Sequence, residues 1–304
     1  MNKLIILNLV LILIIIYYLN IDRVLFLNKT ETNNLFQSLN YFNHFTKNNR
    51  ISRGINNKVD IENHYIKNTL NFTEYDKKTI RKIIKKLRRL SCNFPLFREW
   101  KFSLVTYNVE KGLPHTHRDV IILSKNLVNS IDIDEGIFLF IHEKTHILQR
   151  KYRDLFLELY NNWNFIKVEK IINIEKYEDS FRLNPDGIDI KWIFKFKDTY
   201  ILPVAMYKEN NVDLVNCDNV GIYLEFDGNN YYIPDNPIIK KLIDCKEYNR
   251  FFVGINSNNY HPNELAAEYM SMYWMKKLGF YSKIDNLGRQ IFDRWYNINK
   301  LKLI

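Results

Sequence analysis

Residues 137–150 read IFLFIHEKTHILQR. Ile137, Phe138, Ile141, Thr145 and Leu148 fall on one face at helical spacing, and Asp132 or Asp134 ahead of them can cap the first turn. A helix is therefore expected, continuing toward Trp163. Residues four apart on a helix stand one above the other, so the imidazoles of His142 and His146 can reach one ion while Glu143 projects beside them. Neutral imidazole nitrogens bind zinc at about 2.0–2.1 Å, and a catalytic zinc keeps one position open for water. Glu143 is the candidate general base for that water.

Such a site needs a third protein ligand. Residues 262–278, PNELAAEYMSMYWMKKL, read as a second helix, with His261 or Asn263 near its start and Gly279 at its end. Glu264 is the candidate ligand, and Glu268, one turn later on the same face, is a candidate partner for a ligating histidine. Glu264 lies 264 − 146 = 118 residues beyond His146, so a long segment is inserted between the two helices. Glu175, Glu178, Asp179, His115, His117 and His261 are competing ligands. Tyr260, His261, Tyr269, His115 and His117 are open alternatives for stabilising an oxyanion or contacting substrate.

The pairing of HExxH with a later NExxxE resembles the thermolysin-like gluzincins, whose second helix carries NExxxD with the first acid on zinc. Glu268 stands where Asp is usual. The segments LPHTHRDVIILS (113–124), IHEKTHILQR (141–150) and HPNELAAEY (261–269) are similar to a group of poorly characterised metallopeptidase-like proteins of large DNA viruses and protists. That likeness spans roughly Pro114 to Gly279. The gluzincin resemblance implies Zn2+ held by His142, His146 and Glu264, with Glu143 as base and Glu268 behind the ligands; the expected reaction is hydrolysis of a peptide or protein. The last histidine of the chain is His261, so the donor histidine that those enzymes carry beyond the Glu helix is missing. Two other readings remain open: a membrane-anchored binding or structural protein with a vestigial site, and a zinc hydrolase of a non-peptide amide.

Around the two motif helices the expected fold is α+β and zincin-like. WKFSLVTY (100–107) and DVIILS (119–124) form a small sheet, a β-rich insertion covers residues 191–232, and the Glu-bearing helix closes the site. Ile80, Ile83, Ile84, Leu87 and Leu90 give residues 75–90 one apolar helical face opposite a basic one, the pattern of a scaffold helix. Behind Lys3, the apolar run LIILNLVLILIIIYYL (4–19) lacks a small-residue cleavage site, so residues 1–27 read as an uncleaved signal anchor. The body would then face the lumen or the exterior, or be secreted if the run is cleaved. Residues 28–74, polar and Asn-rich at their start, read as a stalk or linker, leaving 75–304 as the metallopeptidase domain. Asn28-Lys-Thr and Asn71-Phe-Thr are sequons of a kind that an Asn-rich chain produces by chance.

The 304 residues are 46% hydrophobic, ample for a packed core. The net charge of +10, from 44 Lys+Arg against 34 Asp+Glu, is spread along the chain without a nucleic-acid-binding motif, so no nucleic-acid partner is expected. The three cysteines, Cys92, Cys217 and Cys245, form no CxxC. None of the nine glycines builds a GxGxxG, GxxxxGK or GxSxG motif, which removes local support for nucleotide enzymes and serine hydrolases.

Overall fold

The computed structural model describes residues 23–90, 99–187, 191–280 and 284–303. The apolar run 4–19 and Cys92 lie outside them, and among the described residues no helix is long and apolar enough to cross a membrane. The architecture is α+β, with two sheets and the helices packed against them.

The first sheet comprises β1 (Arg23–Phe26), β2 (Thr69–Leu70), β3 (Glu99–Val105), β4 (His115–His117) and β5 (Val120–Ser124). Its order is β1-β3-β5-β4, with β2 also on β3. β1, β3 and β5 run parallel, and β4 lies antiparallel on β5 with His115 opposite Ile122 and His117 opposite Val120. Parallel strands covered on both faces favour unbroken apolar runs, and all five residues of β5, VIILS, are buried.

Under this sheet lie α4 (Glu74–Leu90) and, after the short α5 (Lys125–Ser130), α6 (Ile133–Lys151). Ile80, Ile83, Ile84 and Leu87 of α4 are buried in one core with Phe102 and Leu104 of β3 and Ile137, Phe140 and Ile141 of α6. Asp132 caps α6, its carboxylate accepting from the Asp134 and Glu135 amides at 2.7 and 2.8 Å. The helix stops at Tyr152, whose ψ of 47° leaves the helical region, and α7 (Arg153–Asn162) follows. The expected continuous helix to Trp163 is thus two helices. The bend lets α7 bury Phe156, Leu159 and Tyr160, and Trp163 donates its indole N–H to the Gly288 carbonyl at 2.9 Å.

The insertion forms a second sheet from β6 (Phe165–Lys167), β7 (Ile171–Ile172), β8 (Trp192–Phe196), β9 (Thr199–Tyr207), β10 (Cys217–Phe226), β11 (Tyr231–Tyr232) and β12 (Ile239–Lys241). β8, β9 and β10 are the expected antiparallel meander. Then come α8 (Lys246–Phe252), α9 (Pro262–Lys277) and α10 (Leu287–Asn299). Cys217 and Cys245 are free thiols.

The N-terminal segment departs from expectation. Arg23–Phe26 is a strand of the first sheet, paired residue by residue with Glu99–Phe102, so the body takes up the chain before residue 27. Residues 28–74 are no stalk: they form α1 (Lys29–Gln37), α2 (Lys47–Ile51), α3 (Ile61–Lys67) and β2, then lead into α4. Leu35, Phe36, Tyr41, Phe42, Phe45, Ile55, Ile61 and Tyr65 pack on Val105, Val109, Val120 and Ile122 as a second core. Both sequon asparagines hold local structure, Asn28 capping α1 through the Glu31 amide and Asn71 accepting from the Lys29 amide.

One buried ion pair ties this layer down. Arg53 donates through Nε to Glu110 Oε1 at 2.9 Å and lies 2.8 Å from Oε2 through Nη2, and Tyr41 and Tyr65 donate their hydroxyls to the same carboxylate. Burial alone would raise the Glu110 pKa, but the Arg53 charge outweighs it and holds the carboxyl below its usual value. The pair therefore stabilises the fold above the unfolded carboxylate pKa of about 4.3 and stops doing so as pH falls through the lower folded value. Glu110→Gln should cost about 3–5 kcal/mol at pH 7, since it leaves a buried guanidinium unpaired. Urea unfolding of both proteins should show that gap narrowing as the pH drops below about 4, and a gap that stays constant on acidification would contradict the assignment.

Candidate metal centre

The HExxH helix α6 and the Glu-bearing helix α9 pack side by side, with Ser271 of α9 donating to the Phe138 carbonyl of α6 at 3.0 Å. α9 opens on His261, whose Nδ1 accepts from the Asn263 amide at 3.1 Å, and Pro262 fills the first helical position. That start points the first-turn residue Glu264 at α6. His142 Nε2 lies 3.3 Å from Glu264 Oε2 and His146 Nε2 3.6 Å from Glu264 Oε1. Ligand atoms of these three residues all lie within 4.8 Å of one another.

Other side chains fix these three in place. Gln149 donates its amide N–H to the Asn263 carbonyl at 2.7 Å, which leaves its oxygen to accept from His146 Nδ1 at 2.9 Å. The proton is thereby held on Nδ1 and the lone pair on Nε2 faces Glu264. On His142, Nδ1 faces Glu268 Oε2 at 3.8 Å. Asn184 donates to Glu264 Oε1 at 2.7 Å and to the Tyr260 hydroxyl at 2.6 Å.

A cavity of about 160 Å³ opens on this cluster, walled by Leu113 and Pro114 ahead of β4 and by Glu143, Arg182, Asn184 and Asp186. Glu143 is 3% exposed and its Oε2 has no hydrogen-bond partner. Burial, reinforced by the Asp186 charge, pushes its pKa well up. Burial would lower the His142 pKa, but the hydrogen bond and charge of Glu264, with Glu143 and Glu268 behind, bring it up to about 9. For Glu264 burial acts upward, and the imidazoles of His146 and His142 hold it down to about 2. His146 is lowered by burial, against the pull of Asp186 and Glu264.

Arg182, Asn184, Asp186 and Gln149 belong to the site, and the motif reading missed them. Asn184-Pro185-Asp186-Gly187 is a turn closed by the Gly187 amide on the Asn184 carbonyl at 3.1 Å. Its residue types announce a turn, but nothing local says where it docks. It docks between β4 and α9: Thr116 donates its amide N–H to Asp186 Oδ1 at 3.1 Å, and Asn263 donates its side-chain N–H to the Asp186 carbonyl at 2.9 Å.

Several sequence candidates lie elsewhere. Tyr269 donates its hydroxyl to Asn286 at 2.8 Å and packs on Trp163 and Phe292. Five residues beyond Glu264, it stands about 140° around the helix from the ligand. His115 and His117 are on β4, but strand alternation sends Thr116 to the Asp186 side and both histidines to the other face. There His117 meets Tyr41 and Phe36 and is kept neutral by burial, while His115 Nδ1 bonds the Leu113 carbonyl at 3.0 Å. Glu175, Glu178 and Asp179 belong to the insertion, where Asp179 accepts from the Asn48 amide, and none joins the cluster. His261 spends Nδ1 on its cap, and Tyr260 reaches the site through Asn184.

No family model, curated protein or solved structure matches the chain. Tyr269→Phe removes one buried hydrogen bond remote from the ligands and should lower stability by about 0.5–1.5 kcal/mol while leaving metal content unchanged. Loss of metal in that variant would return Tyr269 to the site.

Proposed function

We propose that the chain is a zinc-dependent metallopeptidase with a zincin-like arrangement: an antiparallel edge strand, β4, beside the HExxH helix, and the Glu-bearing helix closing the cleft. His142, His146 and Glu264 would hold the ion. The edge of a tetrahedron with bonds of about 2.0–2.1 Å is about 3.3–3.4 Å, close to the 3.3 and 3.6 Å that separate the imidazole nitrogens from the Glu264 oxygens. Two imidazoles and one carboxylate are a donor set typical of catalytic zinc.

The observation that carries the reading is Glu143. A buried carboxylate with an unpartnered oxygen is costly to a fold, and Glu143 Oε2 is such an oxygen. Facing the same cavity as the three ligands, it serves as the base that takes a proton from water and returns it to the leaving amine. When bound, zinc supplies Lewis acidity toward the substrate carbonyl and a water that loses its proton near pH 7. Gln149 keeps the His146 imidazole oriented, Glu268 sets its charge 3.8 Å from His142 Nδ1, and Asn184 holds Glu264.

The substrate is a peptide or protein. If residues 4–19 anchor the chain, only residues 20–22 separate that run from β1. Three residues span at most about 10 Å, so the folded body would sit directly on the membrane.

On protein lacking residues 1–22, wild type and Glu143→Gln should each carry one zinc. Peptide hydrolysis should fall by at least about a hundredfold in Glu143→Gln, and Glu264→Ala should lose the metal. Zinc-loaded wild type that cleaves no peptide in a diverse pool, or Glu143→Gln that cleaves at the wild-type rate, would sink the proposal. Because His142 holds a proton below about 9 without metal and the Glu143 carboxyl is also pushed up, zinc uptake at pH 7 should release at least about one proton. Calorimetry in buffers of different ionisation enthalpy reads that number, and uptake with no proton release would contradict the ligand assignment.

A further inference from the structure

Arg182 makes no ion pair among the described residues. Its backbone N–H bonds the Ala205 carbonyl at 2.8 Å, and its side chain passes over the Tyr260 ring, 5.7 Å from the centroid, into the wall of the cavity that holds His142, Glu143, His146 and Glu264. Its Nε is buried without a hydrogen-bond partner. Among the described residues the other buried or half-buried arginines find partners of their own: Arg53 pairs with Glu110, Arg289 with Asp293, and Arg50 donates to the Phe45 and Thr46 carbonyls. Among the described residues no carboxylate comes within ion-pair distance of Arg182.

Desolvating a guanidinium is costly unless an anion meets it, and its fork of donors fits a carboxylate in two-point contact. Arg182 also walls a second cavity, of about 640 Å³, lined by Phe45, Thr46, Asn49, Glu178, Leu183 and Lys191. The guanidinium thus belongs to the wall of both cavities.

We propose that Arg182 is a specificity-determining residue that binds a carboxylate of the substrate, so that the site selects peptides bearing an acidic group beside the scissile bond. The proposal rests on the metallopeptidase reading for the word scissile. The recognition of a carboxylate by Arg182 stands on the geometry of the cavity alone. Two sources share this chemistry, the free C-terminus of a short peptide and a Glu or Asp side chain within a longer one.

Binding is measured by calorimetry on full-length Glu143→Gln protein in detergent, with and without added zinc, its metal content determined on the same sample. The probes are short peptides in matched pairs: free acid against C-terminal amide, and internal Glu against internal Gln. One pair should show the carboxylate form bound about ten- to a hundredfold more tightly. That preference should fall to about onefold when Arg182→Gln is added and survive in part in Arg182→Lys, with circular dichroism showing both variants folded. Preference in the first pair assigns a C-terminal carboxylate, and preference in the second an acidic side chain. Equal binding within both pairs, or a preference undiminished in Arg182→Gln, would overturn the proposal. A sample that takes up no zinc yet keeps an Arg182-dependent preference would overturn the metallopeptidase reading and leave this one standing.

Discussion

His142, His146 and Glu264 meet with side-chain atoms 3.3 and 3.6 Å apart, none of the three residues more than 7% exposed. Glu143, Glu268 and Asp186 crowd the same small volume. Gathering that many carboxylates out of water is unfavourable unless positive charge is gathered with them. Arg150 serves Asp186, and a proton on His142, bound up to about 9, answers Glu264. A divalent cation would meet the same need by displacing that proton, so the constraint on the site is the demand of buried carboxylates for positive charge.

The architecture follows from holding those groups at that spacing. α6 is pinned at its start by Asp132 and along its length by the apolar face of α4, and α9 is pinned by its His261 cap and by Ser271 on the α6 backbone. The 184–187 turn is clamped between β4 and α9 and brings Asn184 and Asp186 to the cavity, with Arg182 just ahead of it. The β4 edge belongs in turn to a sheet whose other face carries the N-terminal layer, so the Arg53–Glu110 pair, remote from the chemistry, stiffens the wall on which Thr116 holds Asp186.

What the sequence disclosed was what local periodicity governs. His142 and His146 were readable because four residues on a helix restore the same face, and Glu264 and Glu268 for the same reason. The meander was readable from its β-rich runs and turns. Where periodicity is applied loosely it misleads: Tyr269 shares a helix with Glu264 but not a face, and His115 and His117 flank Thr116, the β4 residue that turns toward Asp186. Long-range docking left no local trace, so Arg182, Asn184 and Asp186 were invisible as site residues. The layer over residues 28–74 was missed because its apolar side chains are dealt out among helices of five to nine residues and two 3-10 turns with Asn-rich surfaces. β1 was hidden in the shadow of the apolar run before it.

The central claim is that two imidazoles and one carboxylate hold a single zinc ion. X-ray absorption at the zinc edge on zinc-loaded protein reads the ligand set directly. The account predicts a four-coordinate ion with nitrogen and oxygen neighbours at about 2.0–2.1 Å and the multiple-scattering pattern of two imidazoles. A sulfur shell at about 2.3 Å, or an all-oxygen shell without imidazole scattering, would contradict it.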